Sequence, residues 1–108
     1  MKVEALLSAI AFKEGDAWII QGIEHDICAH AWDPADVPEA FVRAVVESMC
    51  IAEHLGKQGL ESIKPAPERF REMFRLARTK VVPVDDETTA RLPVRGLDIR
   101  FALSEAHA

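Results

Sequence analysis

A chain of 108 residues, 49% hydrophobic and 29% charged, has the size and balance of one globular domain over residues 1–108, with a modest core for its surface. Its formal charge of −5 is unevenly spread: residues 1–60 hold four basic and ten acidic side chains. That argues against the first half gripping nucleic acid, and it suits either a solvated acidic surface or docking onto a basic protein.

No apolar run approaches the roughly 20 residues that span a bilayer, so no membrane contact is expected. The apolar start resembles a signal peptide only superficially, because Glu4 lies near its front and Lys13 and Glu14 follow it. Cys28 and Cys50 do not make a disulfide framework. These features together predict a cytoplasmic protein.

Residues 6–12 read as a first strand, closed by a Lys13–Asp16 loop in which Gly15 supplies positive φ. Residues 17–23 resume with β-branched and aromatic side chains, which is a hairpin signal. Gly22 inside this second strand marks a bulge or a close backbone approach. Glu24, His25 and Asp26 form a polar break before a third strand at 27–32. Period-two geometry separates Ile27, Ala29 and Ala31 from Cys28, His30 and Trp32. The small apolar face suits a helix lying close above it, and the other suits an interface.

Asp33-Pro-Ala-Asp36 stops the strand. Asp33 or Asp36 can cap the next helix, and Asp36 with Glu39 resembles a capping box. The helix is predicted over 37–55, with Phe41, Val45, Met49 and Ala52 as its stripe and Val37, Ala44, Ser48 and Leu55 widening it. Gly56 is placed to end it. A loop follows in which Leu60 and Ile63 tuck onto the core. A second helix at 67–78 has Phe70, Met73, Phe74 and Ala77 on its apolar side and Arg71, Arg75 and Arg78 on a basic side. Residues 81–84 read as a short extended piece, 85–89 as a polar turn and 104–108 as a tail. In 90–103, interrupted by Pro93 and Gly96, the alternation of Leu97, Ile99, Phe101 and Leu103 predicts a half-buried strand at a sheet edge.

His25, Cys28, His30, Cys50 and His54 are the residue types that hold zinc. Their spacing is not a standard ligand pattern and no Cys-x-x-Cys anchors them, so no metal or cofactor is expected. A Cys28 nucleophile paired with His30 or His54 lacks an orienting group, and Glu24 with Asp26 reads as a solvated turn rather than an acid–base pair. The glycines are too scattered for a phosphate loop. No catalytic residue is assigned. Arg71, Arg75 and Arg78, continued by Lys80, can contact phosphate or RNA, although a solvated helix face has the same pattern and no exposed aromatics interleave them.

The stretch Trp18-Ile-Ile-Gln-Gly-Ile-Glu-His-Asp-Ile-Cys-Ala-His-Ala-Trp-Asp33, followed by a helix opening on Pro-Glu-Ala, resembles the HicB family of bacterial antitoxins. Trp18 matches its early aromatic in the second strand, Glu24 its acidic position after that strand, and Cys28 its small or Cys position. Asp33 to Ala40 matches its polar cap and acidic-Ala helix start. The resemblance covers about residues 5–55, with 56–108 a helix and C-terminal strand extension. Three departures stand out, the first being two extra residues between strand and helix. The family's Pro-Asp-Leu-Pro-Gly turn is replaced by Ile23-Glu-His-Asp-Ile27, and the DNA-binding appendage of many members has no counterpart, so no DNA contact is expected.

The order of elements predicts, and the resemblance implies, an α+β fold: a three- to four-stranded, mainly antiparallel sheet in β-β-β-α order, then a second helix and a C-terminal strand, with the main helix on one face. It also implies a non-catalytic protein-binding module that neutralises a small basic RNA-cleaving toxin. The expected partner-binding residues are Glu24, Asp26, His30, Trp32 and Asp33. A homo-oligomer, dimer or tetramer, built through strand edges is expected as well. The competing readings are a stand-alone oligomer of this fold that binds a small ligand and a weak RNA binder acting through Arg71, Arg75 and Arg78.

Overall fold

The computed structural model describes residues 6–80, 92 and 96–102. The sheet contains β1 (Leu7–Glu14), β2 (Ala17–Gly22), β3 (Cys28–Ala31) and β5 (Leu97–Ala102), extended by the two-residue β4 (Thr79–Lys80). Helices α1 (Val37–His54) and α2 (Glu68–Leu76) complete the described elements. Strand order is β3-β2-β1-β5-β4. The β1–β5 pair is parallel and the other three pairs are antiparallel. The fold is therefore α+β with a mainly antiparallel sheet and its main helix on one face, as the residue pattern predicts.

The β1–β2 hairpin is tighter than expected. Lys13 and Glu14 stay in the strand, opposite Trp18 and Ala17. Only Gly15 and Asp16 make the turn, and Gly15, at φ +64°, supplies the positive φ that a two-residue hairpin turn needs. The core lies on one face of the sheet. Leu7, Ala9 and Ala11 of β1, Ile20 of β2, Ala31 of β3 and Ile99 of β5 meet Phe41, Val42 and Val45 of α1. Burying each large apolar side chain here contributes about 1.5–3 kcal/mol. Leu60, in a 3-10 turn at Gly59–Ser62, and Ile63 beside it close the same core.

The entry to α1 differs from the predicted capping box. Asp36 makes no side-chain capping bond. Asp33 instead accepts from the Ala35 N–H at 2.8 Å and caps a 3-10 turn, Pro34–Asp36, that leads into the helix. The helix ends as Gly56 was placed to end it. Gly56 has φ +80°, its N–H reaches the Glu53 carbonyl at 3.0 Å, and the Lys57 N–H reaches the Ala52 carbonyl at 2.8 Å. The stripe is corrected at two positions. Val42 is fully buried, whereas Leu55 is exposed, as is Ile51.

α2 packs peripherally, with none of its residues fully buried. Phe12 alternates with Ala9 and Ala11, so it points to the other face of the sheet. There it stacks on Phe70 with ring centroids 6.0 Å apart. Arg100, on that face of β5, lies with its guanidinium 4.1 Å from the Phe74 ring centre. It also donates to the Phe74 carbonyl at 3.2 Å and pairs with Asp98 at 3.1 Å. The two helices therefore cover opposite faces.

β5 is a correction too. It was expected at an edge, but it sits between β1 and β4. The pieces expected at 81–84 and 85–89, Pro93, and the tail at 104–108 lie outside the described residues.

Candidate functional site

The β2–β3 connection holds the polar cluster noted in the sequence. The Gly22 N–H donates to the Ile27 carbonyl at 2.7 Å, and the Ile27 N–H to the His25 carbonyl at 2.7 Å. A β-carbon on Gly22 would stand 2.8 Å from the His25 carbonyl oxygen and 3.3 Å from Phe41 Cε1. This is the close backbone approach that the glycine permits.

Glu24 and Ile23 finish the β1 ladder in an unusual way. The Ile23 N–H donates to the Ser8 carbonyl at 2.9 Å. The return bond is made by the half-buried Glu24 carboxylate, which accepts from the Ser8 N–H at 2.8 Å. The Ile23 carbonyl is thereby released to accept from the Ala66 N–H at 3.0 Å. The segment leading to α2 is tied to the same loop twice more. The Asp26 N–H donates to the Lys64 carbonyl at 2.6 Å, and His25 Nδ1 lies 2.9 Å from the Ile63 carbonyl. A carbonyl only accepts, so His25 carries a proton on Nδ1. Inside the loop, Gln21 Nε2 donates to Asp26 Oδ1 at 2.8 Å and to the Gly22 carbonyl at 3.1 Å. Gln21 has no role among the sequence expectations, although a lone polar residue within the apolar run of β2 signals one.

Of the expected partner-binding residues, Glu24 is engaged with Ser8 inside the chain. Asp26 and Asp33 are exposed, and each uses one oxygen locally, toward Gln21 and Ala35 respectively. His30 and Trp32 come together on the open face of β3. Their rings are 5.9 Å apart and nearly perpendicular, at 83°. Trp32 is 71% exposed, the largest exposure among the big apolar side chains of the described residues.

Cys28, exposed on the same face, has its thiol pKa raised above the ordinary value, first by partial burial and then by the negative charges of Asp26 and Glu14. The charges of Asp26 and Glu14 are therefore felt at Cys28. Ala29 and Ala31 point the other way, toward α1, as the alternation predicts.

The other candidates separate. Among the described residues, no group of three His, Cys, Asp or Glu side chains is placed to hold a metal ion, and Cys28 and Cys50 are free thiols. Arg71 pairs with Glu68 at 2.8 Å, and Arg75 pairs with Glu72. Arg78 is exposed just beyond the helix. Two of the three arginines proposed for phosphate thus stand beside carboxylates that repel it. Among the described residues, no helix is long and apolar enough to cross a membrane. No protein-family model, curated protein or solved structure matches this chain.

Proposed function

We propose that the chain is a non-catalytic, HicB-like protein-binding module whose partner is a small basic protein, of the kind an antitoxin neutralises. One observation supports the reading: an exposed Trp32 just beyond the outermost strand β3, set against His30 and followed by Asp33, with Asp26 and Glu14 acting on Cys28 of the same face. Exposed tryptophan is a typical anchor of a protein interface, and carboxylates around it favour a cationic partner and speed its encounter. The excess of acidic residues in the first half of the chain points the same way. The cytoplasm is the compartment in which such a module would meet a protein that cleaves RNA. The ion pairs along α2 favour a protein partner over RNA.

Affinity purification from the native host at low salt tests this. The expected result is one small basic protein in near-stoichiometric yield, lost as salt is raised. Its RNA cleavage when isolated, and the suppression of that cleavage by the chain, would complete the antitoxin reading. If the chain instead comes down alone, or with RNA that Arg75→Glu abolishes, the module reading is wrong.

A further inference from the structure

β3 is the outermost strand on its side of the sheet, and among the described residues no strand pairs with its outer edge. Proteins usually blunt such an edge with lysine, proline or a bulge, because its unpaired N–H and C=O groups template another strand. Cys28-Ala-His-Ala31 carries none of these. Its protection is its four-residue length and the acidic side chains at its ends, where Asp26 precedes it and Asp33 follows it. α2 packs over β1 and β5, leaving Cys28 and His30 exposed and Ile19 half-buried on the outer face of β2 and β3.

We propose that an extended, basic segment of a partner protein adds to the free edge of β3 as a new strand. This rests on the reading of the chain as a module for a basic protein, and it names how that protein is held. Backbone hydrogen bonds to β3 supply the register. Alternate Lys or Arg side chains of the segment fall on the outer face, where the indole of Trp32 offers its ring to a cation, while Asp26 and Asp33 flank the strand at its two ends. The residues between them fall on the α1 side and are small or apolar, because that side continues the face of Ala29 and Ala31 beneath the helix. A second copy of this chain suits the edge less well. Antiparallel pairing of two β3 strands would set Asp26 of one copy close to Asp33 of the other, like charge against like.

The test uses the full chain, labelled with ¹⁵N, and three synthetic peptides. One alternates arginine with valine, one alternates glutamate with valine, and one alternates arginine with proline, which keeps the charge but removes every second donor. The arginine–valine peptide is expected to shift and protect the amides of residues 28–32 and to bind about tenfold or more tightly than either of the others. Asp26→Asn with Asp33→Asn keeps the local hydrogen bonds, removes both charges, and is expected to weaken it about tenfold. Equal binding by the arginine–proline peptide, shifts confined to α2, or no shift at all would each overturn strand addition. So would a free chain that is already a dimer with protected β3 amides. If the host's basic protein is captured but β3 stays unperturbed, strand addition fails and the module reading stands. If the peptide seats on β3 and no host protein is found, the module reading fails and the edge assignment stands.

Discussion

The indole of Trp32, just beyond the outermost strand β3, stands nearly perpendicular to the imidazole of His30, with ring centroids 5.9 Å apart. The contact is open to solvent and belongs to no core. A large aromatic held there contributes little to folding and offers a partner a rigid apolar anchor. Trp32→Ala is therefore expected to leave stability within about 0.5 kcal/mol of wild type by urea unfolding, while lowering partner affinity tenfold or more at about 2 kcal/mol for an anchoring residue. A variant that loses several times that stability would mean Trp32 belongs to the folding core.

The two faces of β3 give a sharper comparison. Ala31 is 6% exposed and lies in the core cluster with Phe41 and Val45, while Ala29 packs against the edge of that cluster. Ala31→Asp puts an unpaired charge into that cluster and is expected to cost about 3 kcal/mol or more. Ala29→Asp is expected to cost less than Ala31→Asp, and His30→Ala to fall within about 0.5 kcal/mol of zero. Chemical denaturation of the three variants orders them; His30→Ala as the most damaging would reverse the assignment of faces.

Gly22 is held by geometry rather than by φ. Its missing side chain leaves room for the His25 and Ile27 carbonyls and for Phe41. Two of those three neighbours are backbone and cannot swing aside. Gly22→Ala is expected to cost about 2 kcal/mol, in the range for forcing an extra carbon into packed structure, and to raise amide exchange through residues 22–27. An unchanged midpoint in denaturant would show that the loop relaxes freely.

Arg100 ties α2 to the sheet through the Phe74 carbonyl, the Phe74 ring and Asp98. Arg100→Ala is expected to cost about 2 kcal/mol, as for a lost charge-assisted bond. Arg100→Lys should recover only part of that, since an ammonium cannot make the planar contacts at once. Amide exchange should rise first in α2. Uniform exchange across the whole chain would mean that α2 is held mainly by Phe70 and Met73.

Cys28 reports on the field around the docking surface. Burial, then Asp26 and Glu14, hold its thiol pKa above the ordinary value, so less thiolate is present at a given pH. Asp26→Asn with Glu14→Gln removes the two charges, which lowers the pKa and is expected to speed alkylation by iodoacetamide at pH 8. The pH profile of the rate should move to lower pH. A profile that does not move would place the acidic side chains too far from β3 to act.

The short-range patterns were legible because they follow backbone periodicity. Alternation over residues 27–31 put the alanines under α1, and the apolar spacing over 37–54 gave the helix. What the chain hides is set at long range. Nothing local says that the Glu24 carboxylate completes the ladder at Ser8, or that His25 reaches Ile63. The parallel pairing that moves β5 into the sheet, beside β1, is likewise a tertiary event. Leu55 matched the stripe by angle, but its exposure depends on what lies beneath the last turn of α1. The α2 ion pairs could have been read from spacing, since Glu68 and Glu72 each lie three residues before an arginine.

The most direct test of the central claim compares wild type with Trp32→Ala and with Asp26→Asn/Asp33→Asn as affinity baits in the native host. Wild type is expected to capture a small basic protein, and both variants, folded by circular dichroism, to lose most of it. Capture undiminished by either variant would contradict the claim that the open face and edge of β3 are the working surface.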